Sequence, residues 1–339
     1  MGTGNLAILL LLGVLNLGIV QGEVIQDLSK CNWFFQGKIP PQGFATQNRV
    51  KICQRYKNHY HFVTLYRPDL RIPVYSAYRY PCTIGVDKKQ RPTPWFYEPQ
   101  IDDPQGSPEM TSSKDVSGEH QAVDTDYQNS GYDRGHLYPF SFNKNDSGTA
   151  TCTLTNAVPQ THTANVNWNK EAESTVLNLA KICHKSNRSM YVVTGSTNQT
   201  NIKLKNRVTV PELAWTALCC TSSLHQNNDP CLNNNMESEE QNVPTYGKDF
   251  SAAFMKKMAP EEAAVRLTVR ELQNELRVGK IFDSCRGTSA DDEEETFKAV
   301  TGLIEEVANY KNGAESVRSW SWVFAVMCCV LSEIGFKWI

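Results

Sequence analysis

Four consecutive residues, Asp133-Arg134-Gly135-His136, leading into Leu137-Tyr138-Pro139, constrain this chain more than any other stretch. They pack an acid, a guanidinium, a glycine and an imidazole into a segment expected to lie on, or at the end of, a short strand. The arginine offers a planar fork of donors that suits a phosphate. The glycine permits a close backbone approach or a positive φ. The histidine titrates near neutral pH and can take a proton from water. Together these are the parts of a metal-assisted phosphodiester hydrolase. Such a tetrapeptide also recurs by chance, so its weight rests on the residues downstream of it.

Downstream lie Thr155-Asn156-Ala157-Val158-Pro159-Gln160, then Asn165, Trp168 and Glu173. In this order and spacing the chain resembles the DNA/RNA non-specific endonuclease family, whose active site is a ββα-metal (His-Me) finger. The resemblance runs from about Cys31 to Cys285. Cys31-Asn-Trp-Phe-Phe and Tyr75-Ser-Ala-Tyr are similar to a secreted branch of that family.

The resemblance implies an α+β fold: a mixed or antiparallel sheet with flanking helices that carries the ββα-metal site. It implies His136 as general base and Asn165 as metal ligand. It implies Glu173 as a carboxylate ordering the ion's water shell, and Arg134 as a phosphate contact. Arg91, in Arg91-Pro-Thr-Pro-Trp-Phe-Tyr-Glu98-Pro, resembles a second phosphate-binding arginine. Asn156 joins the substrate-binding set or supports the site through backbone hydrogen bonds. The expected ion is Mg²⁺, with Mn²⁺ or another divalent cation as substitute, because a neutral amide oxygen is a hard ligand that leaves most waters in place. Asp133 is read as a brace for Arg134 or its loop. Asn167 competes with Asn165, and Glu171 with Glu173. Two departures stand out: Leu177 occupies the place of a family arginine, and Trp168 lies three residues after Asn165 where the family has four.

Composition bounds the class. Lys and Arg number 34 against 36 Asp and Glu, a net charge of −2, so any nucleic-acid site must be a local basic patch. Residues 1–22 read as a secretory signal, with an apolar run from Leu6 to Leu15 and small residues before Glu23. Nine of the eleven cysteines lie between Cys31 and Cys285, which fits an oxidising compartment and leaves one thiol over if four bridges form. Sequons at Asn145, Asn187 and Asn198 agree with secretion.

The domain is expected over 23–290, an acidic linker and helix over 291–319, and an apolar segment over 320–339. For that last segment a membrane anchor, a lipid-anchor signal and a helix packed on the domain all remain open.

Strands are expected at 61–66, 72–78, 190–195 and 208–220, and a long loop over 99–131. Trp168, Ala172, Val176, Leu179 and Cys183 predict a helix from Val166 to Cys183 with Asn165 at its start. On a regular helix Glu173 would then lie about 80° around from Asn165. Thr268-Val-Arg-Glu271 has the form of a capping box, and a further helix is expected from about Glu294 to Tyr310.

Two functions compete. One is a secreted or surface-anchored endonuclease acting on DNA and/or RNA. The other is an extracellular or membrane-tethered binding module that keeps the fold with weak or no catalysis.

Overall fold

The computed structural model describes residues 24–81, 92–93, 95–222, 244–259 and 262–309, with the side chains of 198 and 199 excepted. The expected signal, Arg91, Cys82, Cys231 and the segment 320–339 lie outside the described residues. No helix among the described residues is long and apolar enough to cross a membrane.

Eight strands form one antiparallel sheet. They are β1 (Val24–Ile25), β2 (Val50–Tyr56), β3 (His59–Arg67), β4 (Ile72–Arg79), β7 (Arg188–Leu204), β8 (Val208–Ser222), β9 (Phe250–Lys257) and β10 (Val265–Leu267), in that spatial order. A separate two-stranded hairpin, β5 (Asp133–His136) with β6 (Ala157–Gln160), belongs to the chain between β4 and β7.

The sheet is buried on both faces, because successive side chains of a strand point opposite ways. Val192 and Leu218 lie in one core, and their neighbours Val193 and Cys219 in the other. The adjacent cysteines of β8 therefore reach opposite sides. Cys220 is bridged to Cys183 on the helical face, and Cys219 to Cys285 on the other face. A third bridge joins Cys31 and Cys53.

The first core is covered by a long helical run: α4 (His162–Trp168), a π-helical turn over Asn169–Glu173, and α5 (Ser174–Lys185). Helix α7 (residues 293–309) adds Val300, Leu303 and Val307 to the same core. The second core is closed by α6 (Val269–Leu276), which begins with the expected box: Thr268 Oγ1 accepts from Glu271 N at 3.0 Å, and Glu271 Oε2 accepts from Thr268 N at 2.8 Å.

A third cluster lies beneath the hairpin and includes Trp95, Tyr127, Leu137, Cys152, Leu154 and Val158. The segment expected as a long loop before the motif is ordered. It holds α1 (Pro99–Asp102) and α2 (Asp124–Tyr127). Buried Gln121 bonds Glu98 O and Asp102 Oδ2, and Arg207 Nε donates to Asp126 Oδ1 at 2.9 Å. Polar residues in such a segment signal hydrogen bonding to the fold as readily as they signal solvent, which is why composition alone reads it as a loop.

The sheet grips the hairpin through a buried polar chain. Gln54 Nε2 donates to Thr64 Oγ1 and Thr155 Oγ1, Thr64 meets Ser76, and Ser76 Oγ donates to Asn156 Oδ1 at 2.8 Å. These linked bonds add directional restraint to apolar packing, although Gln54 Oε1 has no hydrogen-bond partner among the described residues.

Candidate active site

The hairpin and the start of α4 assemble the motif residues. Across β5–β6, Asp133 is opposite Gln160, Arg134 opposite Pro159, Gly135 opposite Val158 and His136 opposite Ala157. Strand alternation puts Arg134 and His136 on one face and Asp133 and Gly135 on the other. Gly135 is required by packing: a Cβ there would sit 2.4 Å from Cδ and Oε1 of buried Gln160.

His136 is half-buried, with the Trp95 ring centroid 4.7 Å away and its Nε2 3.7 Å from Cys152 Sγ. Trp95 also meets Arg134, whose guanidinium lies 5.6 Å from the Trp95 ring centroid and 5.1 Å from that of Tyr127. Arg134 Nη2 donates to Asp124 Oδ1 at 2.9 Å. One aromatic ring thus fixes both the candidate base and the candidate phosphate contact, while α2 supplies the arginine's counter-ion. Burial pushes the Tyr127 hydroxyl well up, so it stays neutral beside the guanidinium.

Asp133 does not hold Arg134, contrary to one reading of the sequence. Its Oδ2 accepts from Asn165 Nδ2 at 3.2 Å and lies 2.9 Å from His162 Nδ1, so it ties the strand to α4. The contact also orients the amide. A carboxylate only accepts, so the amide nitrogen must face it, and the carbonyl Oδ1 of Asn165 faces the other way.

Asn165 is not the helix cap. Thr161 is, with its hydroxyl accepting from Ala164 N at 3.3 Å, and Asn165 lies in the first turn. The cap placed one turn too late reflects a β-branched hydroxyl that the apolar spacing does not reveal.

The π-helical turn alters the position of Glu173. One extra residue absorbed in a turn removes about 100°, so Glu173 falls within about 20° of Asn165's azimuth rather than about 80°. Glu173 Oε2 accepts from Asn169 Nδ2 at 2.7 Å. It lines a narrow cleft with Tyr78, Leu137, Trp168 and Thr194.

Its rival Glu171 is committed elsewhere. It pairs with the buried Lys256 at 2.9 Å and accepts from Ala264 N at 2.7 Å. The hydrogen bond from Lys256 is the main reason its carboxyl is held below the usual range. Buried Trp168 serves the apolar core. Leu177 is partly buried and packs its apolar side chain against that core.

Asn156 is a correction. It is fully buried, and its Oδ1 accepts from Ser76 Oγ and Tyr138 N (2.8 and 2.9 Å). Its Nδ2 donates to Tyr138 O and Thr151 O (3.0 and 2.9 Å). An amide with both donors and both acceptor positions occupied inside the fold has nothing to offer a substrate. It braces the end of β5 through the backbone of Tyr138, the other role foreseen for it.

Trp95, Asp124 and Cys152 escape the motif reading. Trp95 lies inside the Arg91–Glu98 stretch, where its aromatic character is the only signal. Asp124 and Cys152 are ordinary residues whose place at the site is tertiary.

Among the described residues no group of three or more His, Cys, Asp and Glu side chains could hold a metal ion. Asn165 Oδ1 is a neutral, hard oxygen donor, the type compatible with a cation that keeps most of its water shell.

The sequence profile described as DNA/RNA non-specific endonuclease matches residues 39–252, well over half of the chain. The chain belongs to the DNA/RNA non-specific endonuclease family.

The human Endonuclease domain-containing 1 protein is 32% identical over 314 residues, covering 89% of this chain and 57% of that protein. The mouse protein of the same name is 37% identical over 215 residues, covering 60% and 42%. A nuclease from Nostoc sp. is 28% identical over 156 residues, covering 40% and 54%. The chain thus spans about half the length of the curated relatives it matches. A crystal structure of the EndoG/EndoGI complex contains a chain that aligns with a TM-score of 0.46 at 14% identity, covering 68% of this chain and 87% of that one.

Proposed function

We propose that this chain is a secreted or surface-anchored, divalent-cation-dependent endonuclease that hydrolyses phosphodiester bonds of DNA and/or RNA with little sequence preference. The observation that carries the reading is the Asn165–Asp133 contact. It turns the Asn165 carbonyl away from Asp133, on a helix that packs against the strand bearing Arg134 and His136.

His136 accepts a proton from the water that attacks phosphorus in line. A base so placed contributes about 10²–10⁴-fold. Arg134, held between Trp95 and Tyr127, presents its guanidinium to a phosphoryl oxygen, and Arg91 is a second candidate for that role. Asn165 Oδ1 would hold Mg²⁺, and Glu173, brought to a similar azimuth by the π turn, would accept hydrogen bonds from the ion's water shell. When bound, the ion neutralises charge on the phosphoryl and leaving oxygens. Cleavage leaves 5′-phosphates. The three disulfides of the described residues agree with an oxidising compartment.

A second reading, a non-catalytic module on the same fold, draws on two observations. Arg134 already has a counter-ion in Asp124, and Leu177 stands where the family has an arginine. The test is incubation of the full chain with supercoiled plasmid and with RNA, after EDTA and after return of Mg²⁺ or Mn²⁺. Cleavage abolished by EDTA and restored by either ion supports the enzyme. A folded protein inert across metals and pH supports the module.

A further inference from the structure

We propose that Cys152 is a positioning residue for His136, its sulfur accepting the Nε2 proton and thereby selecting the imidazole tautomer whose basic nitrogen is Nδ1. The proposal rests on the nuclease reading for its catalytic meaning. Its geometry does not depend on that reading.

Cys152 lies outside the three bridges of the described residues and is fully buried. It comes directly after α3 (Asn145–Thr151), and both of its backbone groups are engaged: its N–H donates to Thr149 O at 3.1 Å, and its carbonyl accepts from Phe96 N at 2.9 Å. The sulfur is therefore placed by the fold. The imidazole is pinned independently, by β5 through its backbone and by the Trp95 ring. Two rigid elements thus bring Sγ to 3.7 Å from Nε2.

A neutral imidazole has one N–H and one lone pair. If the thiol donated to Nε2, the ring proton would sit on Nδ1 and the nitrogen turned away from sulfur could not act as a base. If Nε2–H donates to sulfur, Nδ1 keeps its lone pair for a water proton. A thiol serves this purpose without adding charge. A carboxylate at the same place would orient the ring equally well, but its charge would favour the imidazolium, which cannot accept a proton.

Burial serves the same end, since an exposed thiol in an oxidising compartment is open to exchange and oxidation. The other cysteines of the described residues stabilise the fold as disulfides. Cys152 lies outside those disulfides, and its sulfur faces an imidazole instead of a second sulfur.

The test uses the full chain labelled with ¹⁵N-histidine, with His136→Gln identifying the His136 signals among those of seven histidines. In the wild type at neutral pH, His136 is expected as the Nε2–H tautomer, with Nδ1 resonating as an unprotonated nitrogen. Cys152→Ala is expected to give mixed tautomers and about a tenfold fall in kcat at unchanged KM. Cys152→Ser, whose hydroxyl can accept, is expected to restore most of both.

An Nδ1–H tautomer in the wild type would overturn the proposal, and this holds even if Cys152→Ala does not fold. A folded Cys152→Ala protein with wild-type tautomer and wild-type kcat would overturn it equally. If the wild type cleaves nothing but its tautomer shifts in Cys152→Ala, the nuclease reading fails and the positioning stands.

Discussion

Asn165 Nδ2 donates to Asp133 Oδ2 at 3.2 Å, so the acid that opens β5 decides which end of the Asn165 amide faces outward. Asp133→Asn removes that decision, because an amide at 133 can donate as well as accept. We expect the half-saturating Mg²⁺ concentration for plasmid nicking to rise about 10–100-fold, with cleavage recovered at high Mg²⁺ and little change in Tm. An unchanged Mg²⁺ requirement would mean that Asp133 does not orient the ligand.

Asn156→Ala removes four buried hydrogen bonds and leaves the Tyr138 N–H and C=O, the Thr151 C=O and the Ser76 hydroxyl without this partner. Orphaned buried groups cost about 1–3 kcal/mol each before relaxation, and a net loss of about 3 kcal/mol lowers Tm by roughly 6–12 °C in a domain of this size. Scanning calorimetry checks this. A neutral substitution would contradict the bracing role.

Gly135→Ala drives a Cβ into the buried Gln160 amide. Overpacking of this kind costs about 1–3 kcal/mol, so the fold survives while the β5–β6 hairpin shifts. Since Arg134 and His136 flank the site of strain, nicking is expected to fall at least about tenfold, in proportion to a displacement of about an ångström. Paired Tm and rate measurements separate the two effects.

His61 is expected to make the fold acid-sensitive. Its Nε2 lies 3.1 Å from Tyr56 O, a pure acceptor, so Nε2 carries the proton and Nδ1 accepts from Ser147 Oγ at 3.1 Å. Burial lowers its pKa, partly offset by the Tyr56 bond and more weakly by Asp146 and Glu109, with His59 adding to the depression. A folded pKa below the unfolded value of about 6.5 means that the unfolded chain takes up the proton first. The stability is therefore complete above about pH 6.5 and declines as pH falls through the lower folded value. Urea midpoints at pH 7.5, 6.5 and 5.5 should fall less steeply for His61→Gln than for the wild type.

Much of the architecture was legible in the residues. The alternating aromatic and β-branched runs mark β3, β4, β7 and β8, because burial of a strand demands that pattern. Thr268-x-x-Glu271 marks the start of α6, because a capping box is a local structure. The fold class is an antiparallel sheet with flanking helices, as the resemblance implied.

What escaped was tertiary. The π turn leaves no mark in an apolar spacing of three and four, yet it moves Glu173 by about 100°. The burial of Asn156 could not be told from a site role, because the same amide suits both. Nor does a cysteine between Thr151 and Thr153 announce that it will meet an imidazole 16 residues earlier in the chain.

The most direct measurement is plasmid nicking in Mg²⁺ by wild-type protein and by His136→Ala purified identically, with equal Tm values showing that both are folded. Mg²⁺-dependent nicking by the wild type is expected, with a loss of at least about a hundredfold in the variant. Wild-type cleavage by His136→Ala would mean that His136 is not the general base.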